Sequence, residues 1–340
     1  MRRLSALAVA LTVAGCPGRA PSRRTALVDS LVSDRGDRSG ILSRELADAV
    51  RQSYDEPGLD AAAAAAVIDP SVGLVAFGIG PTDVSAGRAP TARWPVSTVG
   101  DRPVRVVSRA LEVHLSTDQR VGWAFDEASL ELPVCGRTAS IPIRVFQVYV
   151  RDTERWTLVA EHLAYPQAMG RWLDAAVGPD GARLPESIER QPEAVAARAA
   201  IAEAIAPDGD RAATWDASPD ALAVWPDPLQ VMRGVATRVG PSLATSLEAS
   251  KLELGGLRLA LGPGRATAIA SATLIGQINR VDRTVPILLR ATLVLEQAGA
   301  TWRVRAAMAS VPITVGALVG RTVGIAASTP QDGVVSVACR

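Results

Sequence analysis

The chain is poor in the residues that carry most enzyme chemistry. It has two histidines and three cysteines, and Lys251 is the single lysine among 36 basic residues. With His114 and His162 as the only histidines and no cysteine clustered with them, no metal site is expected. There is no Gly-x-Ser-x-Gly elbow, phosphate-binding glycine loop or Cys/His dyad, and no cofactor is implied. The basic residues are matched by 35 acidic ones and form no stripe, which argues against a nucleic-acid partner. No apolar run is long enough for a permanent membrane helix.

The N-terminus, by contrast, reads as an export signal. Arg2 and Arg3 precede an apolar run from Leu4 to Val13, and Val13-Ala14-Gly15-Cys16 sets small residues before a cysteine. That pattern suits bacterial lipoprotein processing, with residues 1–15 as signal peptide and Cys16 as the lipidated first residue of the mature chain. The acyl chains would then hold the protein to a membrane, at about 0.8 kcal/mol per buried CH₂. The expected location is the cell envelope, at the outer membrane or the periplasmic face. Residues 16–37 are rich in Pro, Arg, Ser and Gly and read as a flexible tether. Cys135 and Cys339 remain as disulfide candidates in a compartment where disulfides persist, and a bridge would need their Cα atoms within roughly 4.4–6.8 Å.

Past the tether the chain repeats itself. Arg144 to Pro166, with Trp156, returns in register as Arg290 to Pro312, with Trp302; Pro81, Val84 and Gly87 return as Pro228, Val231 and Gly234. Repetition on this scale indicates a tandem duplication in which each copy builds its own core. Helical spacing of Ile41, Leu42, Leu46, Ala49 and Val50 predicts a helix opening the first copy, and Val195, Ala199, Ile201, Ala202 and Ile205 predict its counterpart. Alternating segments follow, such as Leu111 to Leu115, Val121 to Phe125, Ile141 to Val150 and Trp156 to Tyr165, and these read as strands of an antiparallel sheet. The expected class is α+β, with domains at 38–168 and 193–314, a linker at 169–192 and a C-terminal tail at 315–340.

Val121-Gly-Trp-Ala-Phe-Asp-Glu, Gly136-Arg-Thr, Ile141-Pro-Ile-Arg and Trp156-Thr-Leu-Val-Ala-Glu-His resemble the SnoaL-like branch of the nuclear transport factor 2-like (NTF2-like) superfamily. The second copy is similar through Arg290-Ala-Thr-Leu-Val-Leu and Trp302-Arg-Val-Arg-Ala-Ala-Met-Ala-Ser. The resemblance covers about Gly40 to Pro312 and implies two tandem cones, each a strongly curved sheet packed on N-terminal helices with a pocket at its open end. It leaves activity open, because the superfamily includes isomerases, cyclases, hydrolases and dehydratases beside plain binding domains. It also implies pairing through the convex sheet, either within the chain as an internal pseudo-dimer or between two copies as a homodimer.

Chemistry has to come from side chains, and the first copy is the one stocked with them. Asp126 is the candidate general base, with Tyr149 or His162 as hydrogen-bond donor; His114, Glu127, Gln147 and Tyr165 are further candidates for the pocket lining. The second copy has Ala272, Leu293, Leu295, Met308 and Val311 at the places of Asp126, Gln147, Tyr149, His162 and Tyr165. A cone lined that way cannot do acid-base work. Two functions follow: an envelope protein binding a small apolar ligand or a protein partner, or a ketosteroid-isomerase-type isomerase or hydrolase working in the first copy alone.

Overall fold

The computed structural model describes residues 25–55, 74–87, 98–99, 102–134, 136–152, 155–168, 182–184, 190–279, 283–313 and 334–335. Cys16, Cys135 and Cys339 lie outside these residues, and with them the lipid anchor and the disulfide. The chain divides into two compact units, Met1–Ile41 and Leu42–Arg340, and both large sheets belong to the second.

The first half opens with helix α1 (Thr25–Asp55). Its early turns place helix at 25–37, inside the stretch expected as a tether at 16–37: Leu27, Val28, Leu31 and Val32 recur at helical spacing among the Ser, Asp and Arg residues that lent the stretch its linker composition. Farther on, Leu42, Leu46, Val50 and Tyr54 stand on one stripe and are buried in the first core. Strands β1 (Leu74–Phe77), β2 (Val84–Gly87), β3 (Thr98–Val99), β4 (Arg102–Pro103), β5 (Arg105–Leu115), β6 (Val121–Val134), β7 (Arg137–Arg151) and β8 (Trp156–Ala164) follow. Six of them form a sheet in the order β2-β1-β8-β7-β6-β5. The long meander is antiparallel, as the alternation predicts. Short β1 joins β8 in parallel, so the sheet is mixed, because the chain crosses to the far edge before the meander brings it back.

The second half repeats this plan. Helix α2 (Pro192–Ile205) begins on a proline, which suits a first turn, and stops before Pro207-Asp208-Gly209. It buries Ala194, Ala197, Ile201, Ala204 and Ile205, whereas Val195 is half exposed. After α3 (Arg211–Thr214), β9 (Leu222–Val224), β10 (Val231–Arg233), α4 (Ala236–Val239) and α5 (Leu243–Ser246) come the long strands β11 (Ala249–Leu261), β12 (Thr267–Asn279), β13 (Thr284–Ala298) and β14 (Thr301–Ser310). Their sheet has the order β10-β9-β14-β13-β12-β11, the same topology as the first. The tail contributes β15 (Val334–Val335), which pairs with β3 in a small third sheet with β4. The two halves are tandem α+β units of one topology, each a six-stranded mixed sheet preceded by a helix.

The duplication extends to irregularities. A register shift between Ser108 and Ala110 recurs between Leu254 and Gly256, and one between Val148 and Tyr149 recurs between Val294 and Leu295. Bulges bend and twist the strands that hold them. Matching bulges therefore give both sheets the same shape.

One face of each sheet packs on its own helix, and the opposite faces pack on each other. Trp123, Phe125, Phe146 and Val148 of the first sheet share a core with Leu222, Val224, Val294, Ala306 and Met308 of the second. A reciprocal pair of arginines locks this contact. Arg144 donates to the carbonyls of Trp225 (2.8 Å), Asp227 (3.0 Å) and Pro228 (2.7 Å) in the β9–β10 turn. Arg290, at the repeated position, donates to Gly78 (2.8 Å), Asp83 (3.1 Å) and Pro81 (2.8 Å) in the β1–β2 turn. The amides of Gln167 and Ile313 likewise donate at 2.9 Å to Pro226 and Ile79 of the opposite half. Each guanidinium fork is thus occupied by the other half's backbone.

Candidate functional site

Between the first sheet and α1 lies a core that is not wholly apolar. Asp126 stands on β6 between Ala124 and Ala128, and Gln147 and Tyr149 stand on β7 beyond Val145, all on the face packed on α1. Glu161 of β8 lies directly across from Gln147. Tyr54 comes from the last turn of α1. Each of these five side chains is at most 5 % exposed.

Their contacts form a network. Tyr149 Oη donates to Gln147 Oε1 at 2.8 Å; Gln147 Nε2 donates to Glu161 Oε1 at 2.7 Å and to Ser53 Oγ at 3.1 Å. Asp126 Oδ1 accepts from the amides of Arg109 (3.3 Å) and Ala110 (3.0 Å). Those amides are turned toward it by the bulge in β5, where the ladder to β6 slips. Tyr54 faces the same carboxylate. Burial first, then the charge of Asp126, with Tyr149 and Glu161 adding to it, push its phenol well above the usual tyrosine range. Tyr54 is thus a proton-bearing donor at any physiological pH. The cluster combines buried carboxylates, a protonated phenol and a carboxamide between the first sheet and α1.

Four sequence candidates stand outside this network. His162 is on the opposite face of β8: its Nε2 lies 2.7 Å from Ser310 Oγ of the second half, and its ring meets Phe77 edge-on at 5.3 Å. Strict alternation from Trp156 would carry it to the α1 side. The bulge opposite Val148 and Tyr149 reverses the parity of β8, so Glu161 turns inward and His162 outward. Burial, with Arg290 nearby, lowers its pKa to about 3, and it is neutral in the fold. His114 also faces away from α1. It stacks on Trp123 at 5.8 Å and lies 3.8 Å from both Glu112 and Asp220 of the second half. Glu127 is exposed on that same outer side, 3.8 Å from Arg144, because its neighbour Asp126 takes the inward position. Tyr165 packs half buried against the first core, beyond the end of β8.

Tyr54, Ser53 and Glu161 were missed from the sequence. Tyr54 continues the stripe of Leu46 and Val50 at four-residue spacing, which makes it look like core, and Glu161 sits beside the more conspicuous His162. A lone acid inside Trp156-Thr-Leu-Val-Ala-Glu-His-Leu-Ala was the available signal.

In the second half Ala272, Leu293, Leu295 and Ala307 take the places of Asp126, Gln147, Tyr149 and Glu161, and all four are buried in an apolar core with Ile201 and Ile205 of α2. Among the described residues no group of histidines, cysteines and carboxylates could hold a metal ion.

No family model matches the sequence, and no curated protein matches it. Solved structures similar to part of the chain include an NTF2-like protein of unknown function from Prochlorococcus, 14% identical over 36% of this chain and 94% of that chain, with a TM-score of 0.29. An NTF2-like protein with a cystatin-like fold from Novosphingobium aromaticivorans is 16% identical over 44% of this chain and 92% of its own, with a TM-score of 0.29. An NTF2-like superfamily protein from Salmonella enterica is 18% identical over 31% and 78%, with a TM-score of 0.26.

Proposed function

We propose that this is a lipid-anchored protein of the bacterial cell envelope whose first cone binds a small molecule at Asp126, Tyr54, Tyr149, Gln147 and Glu161, while the second cone is a filled structural partner. The observation that carries this reading is the contrast between two halves of one topology: a buried polar network on one side, and alanine and leucine at the same positions on the other. A purely structural core has no need of two carboxylates, which are costly to bury. The ligand is mostly apolar, in keeping with the leucines and valines around the network, with one polar group that meets Asp126 and Tyr54.

The reading favours binding over chemistry, yet one observation supports acid-base catalysis as the second reading. Asp126 and a phenol that keeps its proton face each other, which is the pairing of base and oxyanion donor that proton transfer requires.

Native mass spectrometry of the purified full chain tests both. The wild type carries a small ligand, and Asp126→Asn, which keeps the oxygen that caps the β5 bulge, loses it or holds it at least tenfold more weakly. Retention of the ligand at wild-type occupancy sinks the site. Conversion of the recovered ligand on incubation with the wild type, abolished in Asp126→Asn, favours the enzyme. The same spectrum reads the anchor, since a mature chain that starts elsewhere than a diacylglyceryl-bearing Cys16 removes it.

A further inference from the structure

We infer that the second half is a built-in positioning subunit for the first cone, and that Arg290 is the positioning residue through which it acts. The inference rests on the reading of the Asp126 cluster as the site.

Its starting point is an asymmetry inside a symmetric contact. Arg144 and Arg290 each make three bonds to carbonyls of the opposite half, two of them to matching positions, Trp225 with Gly78 and Pro228 with Pro81. What each turn supports is different. Arg144 fixes the β9–β10 turn, and β9 runs beside β14, whose inward residue Ala307 offers nothing to a ligand. Arg290 fixes the β1–β2 turn, and β1 runs beside β8 with Ala76 paired to Glu161 and Phe77 to His162. Glu161 in turn accepts the bond from Gln147 that links it to Tyr149.

Two more contacts from the second half reach the same pair of strands. Ile313 donates to Ile79 at the end of β1, and Ser310 meets His162, the residue next to Glu161. Arg290 is fully buried, and its guanidinium also lies 5.6 Å from the centre of the Phe77 ring. β8 contains a bulge two steps before Glu161, so the residues it turns inward depend on the strands beside it, and the clamp on β1 bears on that register. The second half, apolar at the positions of the network, thus supplies the arginine that serves its twin.

The test uses the chain's three tyrosines, Tyr54, Tyr149 and Tyr165, all of which lie in the first half. Full-length protein labelled with 3-fluorotyrosine is read by fluorine NMR with no ligand added. Arg290→Met is expected to move the Tyr54 and Tyr149 resonances by more than their linewidth, whereas Arg144→Met, an equal loss on the other side, leaves those two in place. Arg290→Lys, which keeps the charge without the planar fork, restores them only in part. Unmoved Tyr54 and Tyr149 signals in folded Arg290→Met, or equal movement in Arg144→Met, overturn the inference. Should Arg290→Met fail to fold, Ser310→Ala removes one contact on β8 alone and gives a smaller shift of the same two signals; their constancy there overturns it as well. As no ligand takes part, this outcome is separate from that of Asp126→Asn.

Discussion

His162 shows how much a side chain's role depends on its surroundings. In water an imidazole near pKa 6.5 would be the best proton carrier in the chain. Inside the contact between halves it has Ser310 on Nε2, Phe77 against its ring and the Arg290 charge close by, and its pKa falls to about 3. The unfolded chain binds a proton there at a higher pH than the folded chain does. Stability from this group is therefore complete above about pH 6.5 and declines as pH falls through the window toward 3, by at most about 1.4 kcal/mol per pH unit. His162→Met copies the residue of the second half and should flatten most of that slope in urea unfolding measured between pH 7 and pH 4. His114, which burial also shifts downward, stays in the variant and leaves a smaller residue of slope. An unchanged slope in His162→Met would mean that this histidine is not the group whose protonation opens the contact.

Strands carry the site, and their bulges decide which residues belong to it. On β5 the bulge frees two amides for Asp126; on β8 it turns Glu161 inward. The second half has the same bulge on β11 but with Gly255 and Gly256 in place of Arg109 and Ala110. A Cβ on Gly256 would sit 2.1 Å from the Leu184 carbonyl oxygen, a backbone atom with little freedom to yield. Leu184 lies over this bulge, and its amide donates to Thr273 Oγ1 at 3.1 Å. Gly256→Ala is therefore expected to displace residues 182–184 and to cost about 1–3 kcal/mol in urea unfolding, the usual range for overpacking. A loss below about 0.5 kcal/mol would show that the close approach is not part of the fold. The strands themselves were legible from alternation, as were the two opening helices from their apolar stripes. The bulges were not, because an extra residue has no signature in an alternating run of apolar side chains, and a single slip turns every later residue to the other face.

At the scale of the molecule, the shared core of Trp123, Phe146, Val294 and Met308 makes one cooperative body of the two halves. Neither sheet could expose that face to water without uncovering several large apolar side chains, each contributing roughly 1.5–3 kcal/mol when buried. The two arginine clamps add charge-assisted bonds of about 1.5–3 kcal/mol apiece. Calorimetry should accordingly show a single transition, with tyrosine signals from the first half and the heat of the whole chain lost together. Two separated transitions would mean that the cones are independent and that neither half supports the other.

The duplication, the α+β class, the strand-rich halves and the concentration of polar residues in the first copy could all be read from the order of residues, because they depend on composition and on repeat spacing. Asp126, Gln147 and Tyr149 were also within reach, since each lies on an undisturbed run of alternation. That Glu161 and Tyr54 complete the cluster, that His162 and His114 leave it, and that Arg144 and Arg290 exchange grips across the halves was settled by tertiary structure alone. Those facts depend on a bulge's parity and on which sheet faces meet, and both are properties of folded strands in contact.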